Sequence, residues 1–362
     1  MKKTASPLVI WLLTGCLLIF TMVIVGGITR LTGSGLSITG WKLIRGTVPP
    51  LNEQQWMDEF DNYKKIPQYI EINYHFTLND FKKIYWWEYI HRLIGRIIGL
   101  VFIIPFLFFY IKKQLDKPLV KKLLFIFFLG GLQGFLGWYM VKSGLMQNVR
   151  VSHIRLAIHL ITAFITFGFT FWVMLGIIYP GENEKSKSGK TLLKISLVIF
   201  SLVVLQIIYG AFTAGLKAGH IYNTFPKMGD EWMAASVSYG LQTEGAGSLI
   251  NNISVVQFIH RCFAWLLALL VFILWYYVKS KSRQDGNLFL PVQQEKSINF
   301  LAAAVAVQFL LGVFTLVYQV PIVLGVLHQA GAFILFAASI YLIHSFTSPA
   351  AAIQTLRSES GL

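Results

Sequence analysis

The sequence predicts an all-α polytopic membrane protein whose eight transmembrane helices form two pseudo-symmetric four-helix bundles. Of its 362 residues 55% are hydrophobic and only 13% are charged, and the mean hydropathy is +0.61. This composition lies outside the range of soluble globular proteins. Eight apolar runs approach the ~20 residues that a helix needs to cross a bilayer. Histidines also recur at the same spacing in the two halves of the chain, which indicates an internal repeat.

We expect the membrane spans at roughly 8–28, 88–111, 119–141, 153–179, 191–214, 254–278, 297–318 and 321–345. The first run follows Lys2 and Lys3, but it is too long for a signal peptide and has no small-x-small cleavage site. We therefore interpret it as a retained span. Nothing Arg-rich and amphipathic precedes it, which favours a bacterial plasma membrane protein over an organelle protein.

The formal net charge of +15 follows the connections between spans. Lys and Arg concentrate at 112–122, 185–190 and 279–296, and the intervening connections are poorer in them. By the positive-inside rule both termini are cytoplasmic, and two long loops at roughly 29–87 and 215–253 face outward. Such a distribution predicts contact with membrane lipids and no nucleic-acid partner.

The repeat divides the chain into an N-terminal half, 1–180, and a C-terminal half, 181–362. His91 and His260 are 169 residues apart, and so are His159 and His328. The segments HLITAFITF and HQAGAFILF, which start at the second pair, share five residues in register. Each half has an even number of spans, so we expect an axis along the membrane normal to relate the two bundles.

The four repeated histidines all fall near the outer ends of their predicted spans. One histidine from each of two facing helices is the arrangement that ligates a haem iron on both axial faces inside a bundle. Small side chains occupy the position four residues after each histidine, where a flat macrocycle must pass: Gly95, Ala163, Ala264 and Ala332.

Other interpretations of these residues remain open. Small residues also let membrane helices pack closely, and a membrane histidine also serves as a hydrogen-bonded packing residue. A proton relay or ion transporter would normally bury more acids than this chain does. A zinc or copper site needs more ligands than one helix pair offers. Cys16 and Cys262 lie in different spans, and we expect neither a disulfide nor a metal site there.

The two halves differ three residues before the first histidine of each pair. Glu88 precedes His91, whereas Gln257 precedes His260. A carboxylate that is partly buried beside a haem can take a proton during oxidation of a bound group. The alternative is a structural ion pair with Arg92 at i+4.

Three arginines lie at the outer ends of the histidine helices. They can meet haem propionates as charge-assisted partners or extend to lipid headgroups. They are Arg92, Arg155 and Arg261.

The first outer loop carries a short amphipathic pattern. Trp56, Phe60 and Tyr63 form an apolar stripe after Asn52, which predicts a capped helix that covers part of the protein. Thr77 with Asp80 reads as a capping box, so the second span begins outside the membrane. We interpret the remaining histidines as exposed or interfacial: His75, His153, His220 and His344.

At this point six motifs give the chain a family resemblance over nearly its whole length. They are GGITRLTGSGLSITGWKLIRGTVPPL from Gly26, EYIHRLIGR from Glu88, RLAIHL from Arg155, AGLKAGHIYNTFPKMG from Ala214, QFIHRCFAW from Gln257 and LHQAGAF from Leu327. In this order the chain resembles the haem A synthase family, in particular its mitochondrial and proteobacterial branch. Another branch has cysteine pairs in its outer loops, and this chain has none, so a thiol-based reduction step cannot operate here.

The resemblance implies an oxidoreductase of haem biosynthesis and cytochrome oxidase assembly. Such an enzyme converts haem O to haem A by two successive hydroxylations of the C8 methyl group, through a geminal diol that loses water. The N-terminal half is implied to hold the substrate haem at His91 and His159, with Glu88 in the catalytic role. The C-terminal half resembles the site of a haem b ligated by His260 and His328.

The same resemblance suggests haem O synthase and terminal oxidase assembly factors as partners, together with an electron partner. It leaves a monomer and a homo-oligomer open. The alternative function is a dihaem b-type electron-transfer cytochrome linked to quinol, which needs the four histidines but not Glu88. Haem O synthase itself is disfavoured, since prenyl transfer needs aspartate clusters that bind Mg²⁺ and diphosphate, and the sequence has none.

Overall fold

The computed structural model describes residues 6–40, 47–146, 151–179, 187–284 and 290–347. Within these residues the regular structure is helical. The α-helices are α1 (Pro7–Leu31), α2 (Glu53–Tyr63), α3 (Leu78–Ile111), α4 (Lys117–Met146), α5 (His153–Ile178), α6 (Lys187–Gly215), α7 (Ala235–Glu244), α8 (Ser248–Asn251), α9 (Ile253–Gln284), α10 (Val292–Val317) and α11 (Ile322–Thr347).

Eight of these helices are long and apolar enough to cross a membrane, as the sequence predicts. Most predicted ends lie within a few residues of the observed ends. The second span is the exception, because α3 starts at Leu78 and adds almost three turns outside the apolar run that starts near 88. Its first residue is fixed by the predicted capping box, in which Thr77 accepts from the Asp80 backbone and Asp80 accepts from the Thr77 backbone.

The long helices of each half contact one another in a ring. In the N-terminal half the order around the ring is α1, α3, α4 and α5, and in the C-terminal half it is α6, α9, α10 and α11. Each helix contacts its two ring neighbours far more extensively than the helix opposite. The two histidine helices of each half, α3 with α5 and α9 with α11, are therefore diagonal. The shared order is the one a duplication predicts; the axis relating the halves stays a prediction.

The two rings meet along α1 and α5 on one side and α6 and α11 on the other. Four buried phenylalanines lie at the centre of this contact, and their ring centroids are 4.2 to 6.4 Å apart. They are two pairs at the repeat distance: Phe164 with Phe333, and Phe167 with Phe336. Phe167 and Phe336 thus join the halves, two turns beyond the second histidine of each pair.

The first outer loop folds onto the extension of α3. Asn52 caps α2 by accepting from the Gln55 backbone at 2.9 Å, and the predicted stripe of α2 is buried against Phe81 and Tyr85. At the centre of this cluster burial raises the pKa of Tyr63 to about 12. The predicted cover is therefore a small aromatic core that packs on the N-terminal part of α3.

Some sequence predictions fall outside the described residues. They are the boundary between the halves at 180 and 181, the part of the Gly26 motif at 41–46, and parts of the basic connections at 185–190 and 279–296.

Candidate haem-binding sites

The structure brings the four repeated histidines together as two pairs. The imidazoles of His91 and His159 lie close enough to interact electrostatically, and so do those of His260 and His328. Each pair spans the diagonal of one ring. This is the placement in which a flat group can lie between two imidazoles without separating neighbouring helices.

Every one of these histidines lies against a glycine of an adjacent helix. A methyl group at Gly26 in α1 would come within 3.1 Å of His91 Nε2, and one at Gly312 in α10 within 3.0 Å of His328 Cε1. The corresponding separations are 3.4 Å for Gly137 and His159 and 3.3 Å for Gly210 and His260. Each of the four helices without a repeated histidine therefore places a glycine, which has no side chain, against an imidazole.

Sequence reasoning missed the role of these glycines, although two of them carried a signal. Gly26 and Gly210 start the segments GGITR and GAFTA, whose Gly and Thr match at the ends of α1 and α6. Gly137 and Gly312 occupy equivalent places in α4 and α10, where nothing in a single half points to a histidine. Only the contact between helices identifies them.

Glu88 is 3% exposed and accepts four hydrogen bonds. Its Oε2 accepts from the Ser37 hydroxyl at 2.7 Å and from the Ile38 backbone at 2.9 Å. Its Oε1 accepts from Arg92 Nη2 at 2.6 Å and from Arg92 Nε at 3.1 Å. The ion pair with Arg92, which the sequence offers as the alternative to a catalytic role, is thus present. Glu88 also binds the loop segment that follows α1.

Gln257 is 2% exposed and fastens the equivalent loop after α6. Its amide nitrogen donates to the carbonyl oxygens of Ala218, at 2.9 Å, and Ile221. The two halves therefore use equivalent positions to bind the loop after the first helix of each half. Glu88 accepts hydrogen bonds from its loop, whereas Gln257 donates hydrogen bonds to its loop.

The three arginines lie beside the histidines and hold backbone carbonyls. Arg92 donates to Ile38 and Gly40, and Arg261 donates to Tyr222, Thr224 and Lys227. Arg155 donates to the Tyr139 carbonyl at 3.1 Å, and its guanidinium lies 4.0 Å from the centre of the Tyr139 ring. These contacts tie the arginines to the backbone at the histidine-bearing ends of both rings.

A cavity of about 190 Å³ opens beside Arg92, the ion-pair partner of Glu88, between the loop after α1 and the helices α3 and α4. Ile38 and Arg92 line it, together with Trp138 and Lys142. Lys142 also lies 5.0 Å from the centre of the Trp138 ring. Two cationic side chains, those of Arg92 and Lys142, thus border this cavity. The place in α10 that matches Lys142 is Val317.

The four histidines outside the two pairs differ in their exposure to solvent. His75 and His220 are exposed and His153 is half-buried, as the sequence predicts. The prediction for His344 is wrong: it is 2% exposed and its ring lies 4.9 Å from that of Trp172. The end of α11 packs against α5 in the contact between the halves, which encloses a side chain that an isolated helix end would expose.

Among the described residues, no group of three or more His, Cys, Asp or Glu side chains is placed to hold a bare metal ion. Cys16 is buried and Cys262 is exposed, and both are free thiols. The histidine pairs fit a haem better, because its porphyrin supplies four ligands and the protein needs to supply only two. His159 Nδ1 and His260 Nδ1 are buried without a hydrogen-bond partner, so the protein alone does not satisfy these two imidazoles.

Comparison with known proteins identifies the family of the chain. The family model described as "Cytochrome oxidase assembly protein" matches residues 9–340. A "Heme A synthase" of Flavobacterium johnsoniae is 49% identical over 347 residues, covering 95% of this chain and 99% of that protein. Another of Nitrosospira multiformis is 44% identical over 340 residues, covering 94% and 93%. The chain therefore belongs to the cytochrome oxidase assembly protein family.

Proposed function

We propose that the chain is a haem A synthase, which oxidises the C8 methyl group of haem O to a formyl group. The observation that carries the proposal is 49% identity to a named heme A synthase across 95% of the chain. The two diagonal histidine pairs support it, because the reaction needs a substrate haem and the fold offers two equivalent places for one. Both cysteines lie in membrane spans, which supports placement in the mitochondrial and proteobacterial branch.

The N-terminal ring is the proposed substrate site, with His91 and His159 as ligands of the substrate iron. Two successive hydroxylations would convert the methyl group to a geminal diol, which loses water. Arg92 and Lys142 border the adjacent cavity, and their charges suit the carboxylates of a substrate haem. The second ring has Val317 in place of Lys142, so this feature separates the substrate site from its counterpart.

Glu88 is the proposed acid–base residue of this site. Its four acceptor positions are all used, so it can take a proton only where a partner gives way. The Ile38 backbone and Arg92 can only donate. The Ser37 hydroxyl can rotate and accept instead, which makes Oε2 the oxygen best suited to carry the proton.

The C-terminal ring is the proposed site of a resident haem b, held by His260 and His328. When bound, that group supplies one-electron transfer. The protein's part there is to hold the two imidazoles and to fasten the loop through Gln257 and Arg261. The neutral amide of Gln257 cannot take up a proton as a carboxylate can, which is why we assign the chemistry to the N-terminal half.

A dihaem b-type cytochrome linked to quinol is the second candidate. It is favoured by one observation: Glu88 makes the same loop contact as Gln257, so a purely structural role accounts for its hydrogen bonds. Such a cytochrome would not make haem A.

The remaining proposals concern the surroundings of the enzyme. We place it in the bacterial plasma membrane with both termini in the cytoplasm and the histidine pairs toward the outer surface. The proposed partners are haem O synthase, which supplies the substrate, terminal oxidase assembly factors and an electron partner.

Expression in a host that makes haem O but no haem A tests the function directly. Extracted haems are separated by chromatography and identified by mass. The proposal expects a new haem with the mass of haem A. A host that accumulates only haem O, although the purified protein carries b-type haem, would favour the cytochrome.

A further inference from the structure

A repeated glutamine accompanies the glycines that face the histidines. In three of the four helices concerned, a glutamine precedes the glycine by four residues and so lies on the same helical face. The pairs are Gln133 with Gly137 in α4, Gln206 with Gly210 in α6, and Gln308 with Gly312 in α10. The fourth helix, α1, has Met22 at this place before Gly26.

Gln308 holds the last histidine of the chain at two points. Its amide nitrogen lies 3.1 Å from His328 Nδ1 and donates to the His328 carbonyl at 3.0 Å. Its own Oε1 is buried without a partner. A histidine that ligates a metal normally gives its other ring N–H to an acceptor. Gln308 accepts that N–H when its amide turns, which exchanges the bond to the His328 carbonyl for one from Nδ1–H. Contact at Nδ1 leaves Nε2 for the iron.

The N-terminal ring has a glutamine and a histidine at the positions equivalent to Gln308 and His328. Gln133 occupies the place in α4 that Gln308 occupies in α10, and His159 is the repeat equivalent of His328. Gln133 Nε2 and His159 Nδ1 are both buried without a hydrogen-bond partner. Two unsatisfied polar groups at the positions of a bonded pair are best explained as partners.

The first histidine of each pair shows a difference between the halves. Gln206 Nε2 lies 3.4 Å from His260 Nε2, which is the ring nitrogen opposite to the one that Gln308 contacts in His328, and His260 Nδ1 is buried without a partner. In the other half the end of Met22 lies against Gly95, one turn along α3 from His91. A thioether offers at most a weak acceptor. His91 therefore lacks the amide that accompanies the other three.

We propose that Gln308 and, at the equivalent place, Gln133 are positioning residues, which orient the imidazoles of His328 and His159 toward a haem iron through Nδ1, and that His91, which has Met22 where His260 has Gln206, is the least restrained of the four histidines. The inference rests on the proposed function only in taking the ligated group to be haem. It gives the asymmetry a purpose, since a substrate haem has to leave after reaction whereas a resident haem has to stay. The ring with one unsupported ligand is the ring assigned to the substrate.

The test uses the reduction potential and haem affinity of the purified holoprotein carrying Gln308→Leu or Gln308→Glu. Leu removes the acceptor, which lowers the basicity of the imidazole and should raise the potential of the C-terminal haem; Glu is a stronger acceptor and should lower it. For Gln308→Leu we expect haem affinity to fall about 10- to 100-fold. Opposite shifts cannot come from altered packing alone.

Gln329→Leu is the matched control, because Gln329 follows His328 directly but donates to the Val23 carbonyl in the contact between the halves. It should leave the potential unchanged. Shifts in the same direction for both Gln308 variants, no shift, or an equal shift in Gln329→Leu would overturn the positioning role. A wild-type protein that binds no haem would overturn the proposed function instead.

The N-terminal ring is tested by dissociation of haem into an excess of an apo-haem-binding protein. Met22→Gln should slow release from this ring, and Met22→Leu, which fills the same space without an amide, should not. Equal release rates for the two variants would refute the claim that His91 is weakly held for want of an amide.

Discussion

The two rings of this protein share one helix order and one set of histidines, yet they hold their outer loops by opposite means. In the N-terminal ring Glu88 accepts from Ser37 and the Ile38 backbone, whereas in the C-terminal ring Gln257 donates to two carbonyls. Fastening a loop therefore does not require a charge at this position. The comparison teaches that the carboxylate is the feature that a duplicated scaffold alone does not explain, because its counter-ion Arg92 has a counterpart in Arg261.

The strongest way to separate the rings is to remove one ligand from each. His328→Ala should abolish binding of the resident haem, because one imidazole cannot replace two axial ligands, whereas His159→Ala should abolish retention of the substrate haem only. Absorbance of the purified variants, with extraction and identification of the haems, checks both expectations. An unchanged b-type spectrum in His328→Ala would contradict the assignment of the C-terminal ring.

Glu88→Gln makes the N-terminal ring resemble its counterpart. Production of haem A should fall about 10²–10⁴-fold, the range of a lost acid–base residue, while the haem spectrum is retained. Chromatography of haems from the producing host gives the readout. The reciprocal variant Gln257→Glu places an anion against carbonyl oxygens and should lower stability without creating a second active ring. A Glu88→Gln protein that still makes haem A at the normal rate would contradict the acid–base role of Glu88.

Gly312→Ala tests the close contact between the helices and the imidazoles. The added methyl group would lie 3.0 Å from His328 Cε1, and the ring must move to admit it. Overpacking of about 1–3 kcal/mol corresponds to about 5- to 150-fold weaker haem binding. Gly130→Ala is the control, since nothing lies within 4 Å of a methyl group there. Titration of apoprotein with haem measures both, and equal affinities would mean that these glycines serve helix packing alone.

Ser37→Ala is the mildest change to the N-terminal ring. It removes one hydrogen bond to Glu88 and should lower stability by about 1 kcal/mol, with a further loss in haem A production if the hydroxyl accompanies proton transfer. Ser34→Ala is the control, because this buried serine bonds to Thr32 and not to Glu88. Thermal unfolding and haem analysis on both variants separate the loop contact from the chemistry. A loss of haem A production as large in Ser34→Ala would deny Ser37 any special part.

Helix positions and helix ends could be predicted from the sequence because they depend on local patterns. The apolar runs set the spans, Thr77 with Asp80 set the start of α3, and Asn52 with the stripe at Trp56 and Phe60 set α2. The repeat distance of 169 residues singled out both histidine pairs. Each of these features depends on neighbouring residues in the sequence or on an exact repeat distance.

The features that the sequence analysis predicted wrongly or did not identify all depend on contacts between segments that are distant in the chain. The expectation that His344 is interfacial failed because α5 encloses the end of α11. The glycines and glutamines of α1, α4, α6 and α10 escaped notice because their partners lie on other helices, and a glycine or glutamine in an apolar run has no single meaning.

The sequence by itself determined that the chain spans a membrane eight times, where the helices begin, and which four histidines belong together. The tertiary structure alone decided that the histidine helices stand diagonally in each ring, that a glycine faces every imidazole, and that Glu88 is held by Ser37 and Ile38. The physical reason is range: burial in lipid and capping act within a few turns of helix, whereas ring order and side-chain partners depend on how helices far apart in the chain pack.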